Sequence, residues 1–363
     1  MAQDRDRQAD GPSPPRSYRV TSFDVAAEAG VSQSTVSRAL AGDPVVSEAT
    51  RQRVMAAARK LNYHVDENAA RLRTGRSGTL AVVVVCRPGE DRKDLNPFHF
   101  ALLGSVCAAA SERGYETLVS FQDTPATFNG LYQEKRKADG LIVIGTTENI
   151  PAWDYFRDRA TAGDHVVCWG SPFDELDWIR SDNHEGARLA TGHLIERGYR
   201  TIACIGSDCS PQRQFMERYD GYAERMAEAG LTPLMVPIEE GLTRQEQGQR
   251  AIARLLHEAP GCDAAFAVCD EIALGALGEL RARGIAVPDA FGLVGFDGIR
   301  AGAVASPPLS TVEPDFREAG VMLVDKLLRV VAGQASEQRR VPVRLLARGS
   351  TARAGSAGTG QAA

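Results

Sequence analysis

The stretch Thr21-Ser-Phe-Asp-Val-Ala-Ala-Glu-Ala-Gly-Val-Ser-Gln-Ser-Thr-Val-Ser-Arg-Ala-Leu40 constrains the fold more than any other part of the chain. Thr21 followed three residues later by Asp24 is a capping-box start, and Val25, Ala26 and Ala29 then share one face at helical spacing. Gly30 stops that helix at a position where glycine adopts positive φ without steric cost, and Ser32 is placed to cap a second helix through the N–H of Ser34 or Thr35. Val36 and Leu40 turn inward. Gln33, Ser34, Thr35, Ser37 and Arg38 stay outside, all hydrogen-bonding and none acidic, a surface suited to base edges. A third helix from Ser47, with Val54, Ala58 and Leu61 inside, closes a three-helix unit. An ordinary helical hairpin with a solvated polar face is the other reading of the same pattern.

The wider spacing separates the two. Val20-Thr21, Asp24-Val25-Ala26, Ala29-Gly30-Val31-Ser32, Thr35-Val36-Ser37-Arg38, Val46-Ser47, Thr50-Arg51, Val54 and Leu61-Asn62-Tyr63 all match one pattern, and on them the chain resembles the lactose-repressor (LacI/GalR) family of transcriptional regulators. The resemblance implies a helix-turn-helix domain at 18–64 in which Thr21, Ser32, Gln33, Ser34, Thr35, Ser37, Arg38, Ser47 and Tyr63 meet operator DNA. It also implies a hinge at 65–77 that folds on DNA, where Ala69 lies on one face with Leu72 and Leu72 wedges into the minor groove. A flexible basic linker is the alternative for that segment. The family's usual proline and asparagine in the hinge are replaced here by Val65 and Asp66.

Charge supports a two-part chain. Residues 16–76 carry ten Lys or Arg against six Asp or Glu, a local +4, so the remainder holds −9 of the net −5. A basic head on an acidic body fits a module that meets phosphates, although chance asymmetry on a solvated surface gives the same numbers. The seven cysteines (Cys86, Cys107, Cys168, Cys204, Cys209, Cys262, Cys269) are scattered without a C-x-x-C pair and read as reduced core residues, not as a metal site. No apolar run reaches the ~18 residues of a membrane helix, and the N-terminus lacks a signal-peptide core, so a cytoplasmic location is expected. Residues 1–17 read as a disordered leader and 351–363 as a flexible tail.

From Gly78 the pattern changes to strands alternating with helices. Leu80–Val85, Thr117–Phe121, Gly140–Ile144 and His165–Trp169 read as buried strands, and a second half starts at Thr201–Ile205. The expected body at 78–350 is α/β: two doubly wound parallel sheets with a ligand cleft at the carboxyl ends of the strands. The resemblance extends over it through Asn96-Pro97-Phe98, Ser181-Asp182-Asn183, Arg218 with Gly221-Tyr222, Asp270-Glu271 and Val294-Gly295-Phe296-Asp297. It implies a periplasmic-binding-protein-like effector domain, lobe 1 at 78–198 and 314–336, lobe 2 at 199–313 and 337–350. By that analogy the chain crosses between lobes near Tyr199, near Glu313 and before a strand Arg340–Leu346.

Asp182 and Asp297 are expected at the cleft rim, accepting from ligand hydroxyls, with Arg218 donating. Asp182 also reads as a plain helix cap. Phe98, His99 and Trp169 fall where either pocket or packing roles fit, and Cys269 and Leu242 depart from the family's polar and aromatic choices. No G-x-G-x-x-G follows a strand, no P-loop or G-x-S-x-G elbow is present, and His165, His184 and His193 are scattered. The expectation is therefore a non-enzymatic transcriptional regulator, a repressor, with no cofactor and no metal. Its expected partners are a pseudo-palindromic operator, a sugar or sugar derivative, and a second copy of the chain as a homodimer.

Overall fold

The computed structural model describes residues 20–63, 76–89, 91, 95–207 and 213–353, and the chain divides into two compact units, one ending at Gly75 and one beginning at Arg76. The leader at 1–17, Ala69, Leu72 and Cys209 lie outside the described residues.

The first unit holds α1 (Ser22–Ala29), α2 (Gln33–Leu40) and α3 (Glu48–Lys60). Asp24 accepts from the Thr21 N–H at 2.8 Å and from its hydroxyl at 2.7 Å, which starts α1. Gly30 takes φ 62° and turns the chain, and Ser32 accepts from the Thr35 N–H at 3.2 Å to start α2. Val25, Val36 and Val54, one from each helix, form the centre of a small core. Ala39 takes the second inward place on α2, while Leu40 is only half-buried.

The second unit is built on two six-stranded sheets among the described residues. The first runs from edge to edge through Arg339–Val341 (β11), Asp177–Ser181 (β5), Val166–Trp169 (β4), Gly140–Gly145 (β3), Thr79–Val85 (β1) and Glu116–Gln122 (β2), all parallel. The second runs through Val343–Leu346 (β12), Ser310–Pro314 (β10), Gly292–Phe296 (β9), Ala264–Ala267 (β8), Ile202–Gly206 (β6) and Leu234–Pro237 (β7). It is parallel except for β12, which pairs antiparallel with β10. Helices α4 (Pro97–Glu112), α5 (Ile150–Thr161) and α11 (Phe316–Val331) cover the first sheet. Helices α6 (Asn183–Glu196), α7 (Arg213–Glu228), α8 (Arg244–Glu258) and α9 (Asp270–Ala282) cover the second, with the single turn α10 (Arg300–Ala303) before β10. Covering on both faces explains why strands such as Leu80–Val85 are unbroken apolar runs. Among the described residues no helix is long and apolar enough to cross a membrane.

The lobes differ from expectation at two crossings. Helix α6 packs on α7, β9, β10 and β12, so the chain leaves the first lobe at Asp182, a whole helix before Tyr199. The expected strand Arg340–Leu346 is two strands. Val341 pairs with Ser181 in the first sheet and Val343 with Pro314 in the second, so the crossing falls inside it, at Pro342, whose ring nitrogen has no N–H to continue a ladder. The remaining crossing follows Pro314, and the three are stitched side by side: the Asp182 N–H donates to Val341 O at 2.9 Å and the Asp315 N–H to Pro342 O at 3.0 Å. The C-terminal turn is ordered further than the composition suggested. Thr351 is buried and bonded to the His193 ring nitrogen at 2.8 Å, which ties the chain to α6 through Arg353 instead of leaving a tail from 351.

In the second lobe, glycines bring helices together at backbone distance. A Cβ at Gly248 on α8 would enter the Ile272 carbonyl oxygen on α9, and one at Gly275 would enter the Gln245 carbonyl oxygen. Gly248→Ala should therefore destabilise the protein by about 1–3 kcal/mol, an overpacking cost. Gly104→Ala, on α4 with open space around its Cβ, should be neutral or slightly stabilising. Urea midpoints of the two variants against the parent check the contrast.

Candidate functional site

Two surfaces carry chemistry, one in each unit. On the first, Ser34 and Arg38 are exposed and Gln33, Thr35 and Ser37 half-exposed on α2, a polar row beginning at the helix N-terminus. Gln33 is held by its side chain, which donates to Ser22 Oγ at 3.2 Å and so joins the start of α1 to the start of α2. Thr21, Ser32 and Ser47 are helix caps, at the starts of α1, α2 and α3. Tyr63 is half-buried and packs against the three-helix core, so structure assigns it a packing contact. Phe23 was passed over in the sequence because it breaks the Val25, Ala26, Ala29 spacing. It stands 71% exposed beside Ser22, an unusual position for an aromatic side chain.

The second surface is a cavity of about 1020 Å³ between the two lobes, at the carboxyl ends of both sets of strands. Its floor in the second lobe is Arg218, from α7, facing Asp297, which follows β9. Asp297 has φ 114°, a region non-glycine residues avoid, and its N–H donates to Val312 O at 2.8 Å. That turn aims the carboxylate into the cavity, 3.3 Å from Arg218 Nη1. Arg218 also donates to Val268 O at 2.5 Å and through Nε to Asn183 Oδ1 at 2.9 Å, and its plane lies 3.6 Å over the Phe296 ring. Burial pushes the Asp297 carboxyl up to about 6, with Arg218 pulling the other way. Burial, then the nearby Asp297, pushes the Cys269 thiol up to about 12, so it is a neutral part of the wall.

The first lobe contributes Phe98, His99 and Trp169. Phe98 packs against Trp169 with ring centres 5.8 Å apart. The Trp169 indole N–H is buried and has no acceptor among the described residues. Burial, with Arg244 and Arg87 adding repulsion, holds His99 down to about 4, so it is a neutral ring at pH 7.

Asp182 is not on this wall. It caps α6, accepting from the Glu185 N–H at 3.3 Å, and borders a separate surface recess with Glu217 and Arg340. The next residue, Asn183, is the one that reaches inward, because the first turn of α6 rotates successive side chains by about 100°. It joins Arg218 to Glu217, whose carboxylate accepts from Asn183 Nδ2 at 2.8 Å and from Arg340 Nη1 at 2.8 Å. Arg87, Glu148 and Arg244 also line the cavity and were missed. Arg87 and Glu148 follow the carboxyl ends of β1 and β3, where the strand-end rule applied residue by residue would have found them. Leu242, noted as a departure, lies on the rim and offers its carbonyl to Arg87.

Residues 23–66 match the family model described as bacterial regulatory proteins, lacI family, and residues 191–351 match the periplasmic binding protein-like domain. The transcriptional regulator CelR of Thermobifida fusca is 32% identical over 341 residues, covering 91% of this chain and 96% of that protein. The chain belongs to the LacI family. The ribose operon repressor of Escherichia coli (strain K12) is 30% identical, covering 91% of this chain and 99% of that one. Among solved structures, a CelR–cellobiose complex superimposes with TM-score 0.65 at 29% identity over 92% of this chain and all of that one. The lac repressor dimer bound to operator and the anti-inducer ONPF gives TM-score 0.74 at 25% identity over 92% of this chain and 99% of that one. As a LacI-family member the protein is a DNA-binding transcriptional regulator, not an enzyme.

Two titrating groups of the cavity wall act on stability with opposite signs. Asp297, raised to about 6, keeps a proton in the folded state that the unfolded chain has lost, so its contribution falls as pH rises from 4 to 6. His99, lowered to about 4, lacks a proton that the unfolded chain holds below 6.5, so its contribution is lost as pH falls over nearly the same window. Relative to the parent, Asp297→Asn should make stability rise more steeply from pH 4.5 to 6, and His99→Gln should make it rise less or fall. Urea unfolding at both pH values measures this. Parallel slopes for all three proteins would mean that both groups are solvated.

Proposed function

We propose that this regulator is a homodimeric repressor that binds a pseudo-palindromic operator through α2 and releases or gains it when a neutral sugar enters the cavity between the lobes. The observation that carries the ligand class is the pairing of the wall charges. Arg218 faces Asp297, Arg87 and Arg244 share Glu148, and Asp91 and Glu271 line the same cavity, so its wall carries no net positive charge to hold an anionic ligand. What is left for a ligand is the carboxylate of Asp297, the neutral ring of His99 and the ring of Phe98, backed by the buried Trp169. Hydroxyl groups bond to the first two and the apolar face of a sugar ring packs on the last. The named ligand of CelR in its solved complex is cellobiose and the relative from Escherichia coli is a ribose operon repressor, which agrees with a sugar. The lac repressor's dimer on its operator agrees with a two-fold DNA complex.

The experiment is a thermal-shift panel of neutral mono- and disaccharides, with sugar phosphates and uronic acids as the contrasting set. A ligand at one hundred times its dissociation constant stabilises by roughly 2.7 kcal/mol. A shift confined to the acidic members would overturn the charge argument. Asp297→Asn keeps the shape of the floor and removes an acceptor, so the variant should bind operator as the parent does but lose the response to the sugar found in the panel. Fluorescence anisotropy of labelled operator, with and without that sugar, reads this. Arg38→Ala should relax preference at one base pair per half-site by about 1–3 kcal/mol, because arginine bonds a guanine edge through two donors. Competition with symmetric base changes measures it, and equal weakening at every position would make Arg38 a phosphate contact.

A further inference from the structure

We infer that Glu148 is a positioning residue for ligand capture: gripped by an arginine from each lobe, its carboxylate sets how far the cleft closes. The inference rests on the reading of the cavity as the effector site. Glu148 Oε2 lies 2.5 Å from Nε of Arg87, on its own lobe, and Oε1 lies 2.7 Å from Nη2 of Arg244, on the other. Arg87 spans the gap as well, donating through Nη1 to the Leu242 carbonyl at 3.4 Å. Both sides are firmly mounted. Beside Glu148, buried Asn149 donates to Cys86 O at 2.7 Å and Asp123 O at 2.8 Å while capping α5. The Glu148 N–H donates to Thr146 Oγ1 at 3.2 Å. On the facing lobe the Thr243–Glu246 capping box fixes the start of α8, and Arg244 bonds Gln247 Oε1 at 2.9 Å over the Phe215 ring.

Two freely moving side chains lose most of the value of a surface ion pair to the entropy of pairing. Here the backbone on either side is fixed and the Arg244 side chain is only 12% exposed, so more of the attraction is kept. The sign of the effect follows from the charges. With Glu148 present, one carboxylate lies between two guanidinium groups and draws the lobes together. Without it, Arg87 and Arg244 face each other across the mouth and repel.

All three side chains line the cavity, so direct ligand contact is the competing explanation, and a measurement without ligand separates the two. Hydrogen–deuterium exchange on the unliganded full-length protein should be faster at residues 145–149 and 242–245 in Glu148→Gln and in Arg244→Gln. The double variant should exchange no faster than Glu148→Gln alone, and Glu148→Asp should recover most of the protection. With the sugar giving the largest thermal shift, each Gln variant should raise Kd about tenfold, the scale of one charge-assisted bond. Added sodium chloride should weaken binding by the parent more than by Glu148→Gln. Unchanged exchange in unliganded Glu148→Gln overturns the inference whatever happens to Kd, and so does additive opening in the double variant. If no sugar shifts the parent, the cavity's ligand class is wrong, and the exchange arm still decides the role of Glu148.

Discussion

A guanidinium taken out of water costs on the order of several kcal/mol unless every donor finds a partner. Arg218 is 3% exposed, and the second lobe is arranged around satisfying it. Its four partners come from three places in the chain: Phe296 and Asp297 at the end of β9, Val268 after β8, and Asn183 at the start of α6. Each fixes something else. Asp297 can reach only because its backbone sits at positive φ, and Asn183 can reach only because α6 begins at a crossing between the lobes. Removing Arg218 would leave the Asp297 carboxylate buried beside Asp270, itself pushed well above its ordinary range by burial and by Asp297. The floor of the cavity is thus held by electrostatics that the aliphatic core around it makes costly to leave unpaired.

The same contacts join the cavity to the crossings between the lobes. From Asp297 the hydrogen-bonded chain runs through Arg218 and Asn183 to Glu217, which also holds Arg180 and Arg340 of the first sheet. Asn183 begins just past one crossing and Arg340 lies two residues before another. A group that binds at the floor is therefore linked, through this relay of hydrogen bonds, to the segments that join the lobes. This is the physical requirement for control at a distance: a ligand must have different contacts in the two arrangements it selects between.

Much of this was legible in the sequence where the cause is local. Gly30, Ser32, Ser47 and the Thr21–Asp24 box set helix ends through their own backbones, so their spacing suffices to place them. The buried strands were legible because burial on both faces leaves only apolar residues in a run. Strand β5 escaped notice since Asp177, Trp178 and Arg180 do not look like a buried strand, and Arg180 is buried there only because Asp174 and Glu217 meet it. Asp182 and Asn183 could not be told apart without the phase of α6. The meeting of Arg87, Glu148 and Arg244 involves three separate loops, and no window of sequence contains it. The break at Pro342 was legible in principle, since proline interrupts a ladder, but which sheet each half joins depends on neighbours far away in the chain.

The three crossings lie against one another, tied by the Asp182-to-Val341 and Asp315-to-Pro342 hydrogen bonds. Mechanically they form a short axle with a lobe as an arm on either side. Rotation about such an axle displaces each atom in proportion to its distance from it, so atoms beside the axle hardly move while the far rim travels. Crossing residues can therefore keep their hydrogen bonds through a swing that carries Arg244 away from Glu148, and the motion has one cheap direction, about the axle, with twisting or sliding resisted by three covalent strands at once. A regulator built this way has a single soft coordinate, and anything that shifts it, at the rim or at the floor, is read out as the same turn.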